Sequence, residues 1–297
     1  MPSHITHALF ALEVKQRLDQ PVDQARWLLL GSQGPDMFLH NRRRYPNTVS
    51  WGRRIHQEGY GRFVQALSAH LRKRGLGWES PEGLFVQGYV THAVLDRNLH
   101  PYIHAGSYRS GARHLLLHPF LERLIDVELL RSRRVSLPET PFSKNIDLGE
   151  ELPDSLKRLL QDAVGQFGFS STDEMGVRIS NAYRDARDLL IFTDHLGSQQ
   201  LKMVFSRETR EERLRLLSLF HPAEVPLGLD VLNRSGRAWV NPWQKDLVCS
   251  VGVEELYEQS LDQAVVLLSQ LQSEQPGSSR IAGWVGTRTS TAHVPGI

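Results

Sequence analysis

Apolar positions recur at helical spacing almost from end to end of this chain. In the opening segment His7, Phe10, Val14 and Leu18 follow a three-four step, which makes an amphipathic helix with His7 on its core-facing stripe. Residues 84–99 are apolar nearly all round, through Leu84, Phe85, Val86, Tyr89, Val90, Ala93, Val94 and Leu95, so this helix belongs at the centre of the domain. Further helices are expected at about 23–31, 57–74, 115–131, 152–166, 173–196, 208–219 and 253–272. No run shows the alternation of a half-buried strand, and the fold class that follows is all-α.

The punctuation of the chain sets its organisation. Pro138, Pro141 and Pro153 bracket a polar stretch that should loop out between a histidine-rich part, residues 1–130, and a helical remainder, residues 150–273. The region from Pro222 to Trp243 has little periodicity and reads as an irregular connection packed by Trp239 and Trp243. After Ser273 the composition turns to Gly, Ser, Thr and Pro, so residues 274–297 read as a mobile tail. At 297 residues and 40% apolar composition, residues 1–273 can form one large domain with a substantial core. No repeats are visible.

Composition narrows the chemistry. A single cysteine, Cys249, excludes an intramolecular disulfide and a thiolate-rich zinc site. The N-terminus lacks a basic leader, its apolar run from Ala8 to Leu12 is short for a signal-peptide core, and no stretch has the length of a membrane span; a cytoplasmic protein is the expectation. The net charge of +2 steers nothing strongly, although Arg42, Arg43, Arg44, Arg53 and Arg54 cluster in one segment. That cluster could attract a phosphate diester, or simply face water.

The histidines change the picture most. Ten of thirteen fall within the first 118 residues, and two of them head His-x-x-x-carboxylate pairs, His92 with Asp96 and His118 with Glu122. A spacing of four puts both members of a pair on one helix face, and nitrogen with oxygen suits zinc and related divalent ions. Asp96 is decisive: a carboxylate in the middle of an apolar helix costs several kcal/mol unless paired, and no Lys or Arg shares its face. The competing reading makes Asp96 a hydrogen-bond acceptor for His92. His100 follows at another step of four, after which Pro101 is expected to break the helix and put His104 just past a turn. Pro119 suits a first helical position, with His118 as N-cap and Glu122 one turn in; the bland alternative is a cap and a solvated first-turn acid. Asp36 sits in a Gly-Pro turn that would hold it on a rigid loop, and His56 lies near the start of an amphipathic segment. His114 is a weaker candidate, lying before the helix.

Taken in order, His7, Asp36, His56, His92-x-x-x-Asp96, a histidine just after, and His118-x-x-x-Glu122 resemble the zinc-dependent phospholipase C family, whose ligand logic the trinuclear S1/P1-type nucleases share. The resemblance implies an all-α fold and two to three zinc ions. Asp36, His56, His92 and Asp96 would hold one, Asp96 would bridge to a second beside His7, and His118 and Glu122 with His100 or His104 would hold a third. The secreted members of that family give one zinc a mature N-terminal tryptophan, whereas this chain begins Met1-Pro2; the resemblance then leaves that site to His4, to weak occupancy or to absence. The implied activity is phosphodiester hydrolysis by a metal-bridging hydroxide attacking phosphorus in line, with Asp36 as general base. A phospholipid-like substrate is the first expectation. A nuclease, with Trp51 and Tyr45 stacking on bases, is the nearest rival. From another class comes a catalytically silent, metal-stabilised protein gripping an anionic ligand through the arginines.

Overall fold

The computed structural model describes residues 4–21, 23–108, 114–135, 142–169, 174–194, 196–274, 280, 281 and 283. The helices are α1 (His4–Arg17), α2 (Ala25–Gly31), α3 (Asp36–His40), α4 (Val49–Glu58), α5 (Tyr60–Arg74), α6 (Pro81–Tyr108), α7 (His114–Ser132), α8 (Phe142–Ile146), α9 (Asp154–Gln166), α10 (Met175–Thr193), α11 (Ser198–Phe205), α12 (Arg210–Leu217) and α13 (Val253–Ser273). The described chain is mostly helical, and its single sheet is a two-residue antiparallel ladder of β1 (Trp239–Val240) and β2 (Val248–Cys249). No described helix is long and apolar enough to cross a membrane.

The apolar helix expected over 84–99 is α6, and it is the axis of the fold. Val86, Tyr89, Val90, Ala93, Val94, Leu95 and Leu99 are wholly inaccessible, and α1, α2, α5, α7 and α13 all pack against them. Contact with α2 is at backbone distance: a Cβ on Gly88 would fall 2.1 Å from the Leu28 carbonyl oxygen. Around this axis α9 packs on α5 and α10, and α10 on α3.

Three expectations about boundaries are corrected. The helix expected over 57–74 is α5 and starts at Tyr60; a helix the sequence reading did not expect, α4, ends just before it at Glu58, with the chain redirected at Gly59, whose φ of +130° few other residues adopt. Pro101 does not end α6. The helix runs on through Tyr108, held where Leu99 and Ile103 are buried and where Tyr102 donates from its hydroxyl to the Val231 carbonyl at 2.9 Å. Likewise α7 begins at His114, so Pro119 lies inside it and His118 is not an N-cap. In both helices tertiary packing outweighs one lost backbone hydrogen bond and the ring's clash with the preceding turn.

Elsewhere the irregular connection holds, with Trp239 buried against Tyr102 and donating from its indole N–H to the Val251 carbonyl. Pro138 and Pro141 lie outside the described residues, and so does most of 274–297. Within that supposed tail Ile281 is buried in the core.

Candidate metal centre

Because α6 continues past Pro101, His92, Asp96 and His100 form one stripe, each a turn after the last, along the most buried face in the protein. Four other helices meet that stripe. α1 brings His7, the start of α3 brings Asp36, the last turn of α4 brings His56, and α7 brings His118 and Glu122. Asp36 therefore opens a short helix instead of sitting on a loop, and His56 ends its helix instead of starting one.

These side chains gather into three groups whose nitrogen and oxygen atoms lie within 4.8 Å of one another: His7, His92 and Asp96; Asp36, His56 and His92; His100, His118 and Glu122. Asp96 links them. Its Oδ1 is 3.2 Å from His7 Nε2 and 3.4 Å from His100 Nε2, and its Oδ2 is 3.3 Å from His92 Nε2. His56 Nε2 stands 3.1 Å from Asp36 Oδ1, and His118 Nε2 stands 2.8 Å from Glu122 Oε1. Ligands about 2.0–2.1 Å from a tetrahedral zinc are about 3.3 Å from each other, so most of these separations are those of neighbouring ligands on one ion.

Orientation is set from behind. His92 Nδ1 is 3.0 Å from the Ser32 carbonyl and His56 Nδ1 is 2.7 Å from the Gly52 carbonyl; with Nδ1 tied there, both rings present Nε2 to the centre. Gly34 lies against the His92 ring, and a Cβ on it would fall 2.3 Å from Cδ2. His7 and His92 stack face to face, with centroids 4.0 Å apart. Burial, with His92 adding to it, pushes the His7 imidazole down to about 4, and burial holds His100 well below the usual histidine range. Burial pushes Asp96 up, but the facing imidazoles of His100 and His92 outweigh it and hold the carboxyl well below its usual value. Burial raises Glu122 well above the ordinary glutamate value.

The donors fit a divalent cation. Asp96 Oδ1, Asp36 Oδ1 and both ring nitrogens of His7 and of His100 are buried without a hydrogen-bond partner among the described residues. Leaving such an atom unsatisfied costs about 1–3 kcal/mol, and here several converge on one place. An all-nitrogen-and-oxygen set suits zinc and its neighbours without singling out one of them.

Other candidates fall elsewhere. His104 is on the α6 stripe but belongs to none of the three groups, where His100 does; its ring lies against His118 at 4.6 Å and Trp243 at 5.0 Å. His4 accepts at Nδ1 from the Arg123 guanidinium at 3.0 Å, a cation that opposes a metal there. The side chain of His114 lies outside the described residues. Of the arginines, Arg44 pairs with Asp185 at 2.6 Å and Asp188 at 2.9 Å, and Arg54 pairs with Glu58 while lying over Phe167 and Phe169. Arg42, Arg43 and Arg53 are exposed. Trp51 is buried between Phe38 and Phe169 and offers no face for stacking, whereas Tyr45 is exposed.

Two residues near the centre escaped the sequence reading. Tyr60 is wholly buried with its hydroxyl on Asp96. Asp126 accepts from the backbone and hydroxyl of Thr6 through Oδ1 and meets His221 at 2.7 Å through Oδ2, which fixes the first turn of α1 and hence His7. The stripe His118, Glu122, Asp126 was the available signal for the second. A tyrosine on an apolar face carries none for the first. The chain matches no protein-family model, no curated protein and no solved structure.

Proposed function

We propose that the protein is a zinc-dependent phosphoester hydrolase, a phosphodiesterase of the phospholipase C type, with a phospholipid-like diester as the first substrate class to test. The observation that carries this is Asp96: wholly buried, it faces imidazoles from two helices through both oxygens at ligand-to-ligand distances. Such a carboxylate can be shared between two cations. His7 would serve the one on the Oδ1 side, while His92, His56 and Asp36 would serve the one on the Oδ2 side, leaving His100, His118 and Glu122 to hold a third.

Bound zinc would supply Lewis acidity at the phosphoryl oxygens and a water acidified toward neutrality. The chain's own residues do the rest. Asp36 is 7% exposed where Asp96 is fully covered, so of the two it would be the carboxylate to orient an incoming water and take its proton. His92 and His56, locked by the Ser32 and Gly52 carbonyls, keep Nε2 aimed at the centre without reorganisation. The burial of Trp51 takes away one of the two aromatic platforms a nuclease reading needs, which favours a substrate that does not stack.

Elemental analysis of wild type beside Asp96→Ala, with turnover of a chromogenic phosphodiester, tests the proposal. About two to three ions per chain are expected in wild type, with at least one and the turnover lost in the variant. Equal metal content in both proteins would remove the shared carboxylate. Bound metal without turnover would make the chain a metal-stabilised anion-binding protein, and a wild type devoid of metal would end the hydrolase reading.

A further inference from the structure

One polar atom at the centre belongs to none of the three ligand groups and has no part in the proposed activity: the hydroxyl oxygen of Tyr60. It stands 2.8 Å from Asp96 Oδ2 and 3.1 Å from His92 Nε2, which are themselves 3.3 Å apart. A phenol has one hydrogen to give. Ionised Asp96 can only accept, so the hydrogen goes to Oδ2. His92 Nε2 is the hydroxyl's second polar neighbour, so the phenol touches two side chains of the centre at once.

The position of the ring is fixed independently of this contact. Tyr60 is the first residue of α5, directly after the redirection at Gly59, so it and His56 converge on the centre from two helices. Its ring lies 5.4 Å from His56, 5.6 Å from His92 and 6.2 Å from Tyr89, with no exposed surface. Phenylalanine would fill this space as well, so packing alone does not account for a hydroxyl here.

We propose that Tyr60 is a positioning residue of the metal centre: by donating to Asp96 Oδ2 it fixes the plane of the carboxylate, so that Oδ1 serves the His7 and His100 side and Oδ2 the His92 side. The inference rests on the metal reading given above. It extends that reading by naming what divides one carboxylate between two cations, since an unanchored carboxylate could rotate and chelate one of them through both oxygens.

The test is a cobalt(II) titration of metal-free wild type, Tyr60→Phe and Tyr89→Phe, followed by visible absorption and by competition with zinc. Tyr89 is the control, for its hydroxyl is equally buried in the same aromatic cluster but bonds to no described residue. Tyr60→Phe should lose about 10–100-fold in affinity for at least one ion and alter the cobalt spectrum. Tyr89→Phe should match wild type in both. Wild-type affinity and spectrum in Tyr60→Phe, or equal losses in the two variants, would overturn the assignment while leaving the metal centre standing. Cobalt uptake failing in wild type itself would instead overturn the proposed function, and this inference with it. Should Tyr60→Phe not fold, 3-fluorotyrosine placed at position 60 alone strengthens the donated bond, and an unmoved cobalt spectrum would overturn the assignment.

Discussion

At Gly34 the backbone has φ +55°, and an added Cβ would meet the His92 ring at 2.3 Å. Both effects oppose any side chain, so Gly34→Ala should cost about 1–3 kcal/mol and displace His92 from two of the three ligand groups. Denaturant unfolding measures the first effect and metal content the second; a variant as stable as wild type with a full complement of ions would show that the loop yields freely. A second residue-scale prediction concerns Asp185, whose side chain is inaccessible and accepts from Asn41 Nδ2, the backbone amides of Arg43 and Arg44, and the Arg44 guanidinium. Burial works to raise its carboxyl, but these donors, the Arg44 amide first, hold it below the usual aspartate value. Its contribution to stability is therefore complete above the unfolded value of about 4 and fades as pH falls through the lower folded value. Asp185→Asn should lose about 2 kcal/mol at neutral pH, with the gap to wild type closing on acidification; a gap independent of pH would refute the assignment. Asp96 was legible in the sequence because a charge on an all-apolar helix violates a rule that packing enforces. Arg44 was not, since an arginine run reads as solvated until the distant acids that neutralise it, here Asp185 and Asp188, are brought alongside by the fold.

Among the elements, α6 shows what periodicity can and cannot reveal. Its apolar circumference marked it as the central helix, and the step from His92 to Asp96 to His100 was visible as a stripe. Pro101 hid the continuation to Tyr108, because a proline is a local signal and the contacts that override it, such as Tyr102 to Val231, are remote in sequence. The same reasoning explains Pro119 in α7, and the division at Gly59 was missed because helical periodicity continues across it. If packing holds α6 straight through Pro101 at the expense of one hydrogen bond, Pro101→Ala should restore the donor and stabilise the protein by about 1–2 kcal/mol, less the entropy that proline removes from the unfolded chain. Metal content should not change. A destabilised Pro101→Ala would mean that the ring itself supports the packing. In α7, His118 shares a group only with His100 and Glu122, apart from Asp96 and His7. His118→Ala should therefore empty one position and spare the others, and loss of every ion would show the three groups to be a single cooperative unit.

At the scale of the whole molecule, the proposed centre joins helices that are distant in the chain, since α1, α3, α4 and α7 all bring candidate ligands to α6. Removing the cations would leave Asp36 and Asp96 with oxygens unsatisfied in the interior and would remove the attraction that draws these helices together. Binding to the folded but not the unfolded chain stabilises by mass action, about 4 kcal/mol for each site held at a thousand times its dissociation constant. For a domain of this size each kcal/mol moves the midpoint by about 2–4 °C, so a chelator should lower thermal stability by about 10 °C or more. Asp96→Ala supplies the internal comparison, because it has already lost the shared carboxylate and should respond less to the same chelator. If the chelator strips the ions from wild type and the midpoint does not move, the burial of these carboxylates must be offset entirely by protein contacts, and the metal would serve chemistry without holding the fold. Equal shifts in the two proteins would place the stabilising ion away from Asp96, in one of the two groups that do not include it, Asp36 with His56 and His92 or His100 with His118 and Glu122.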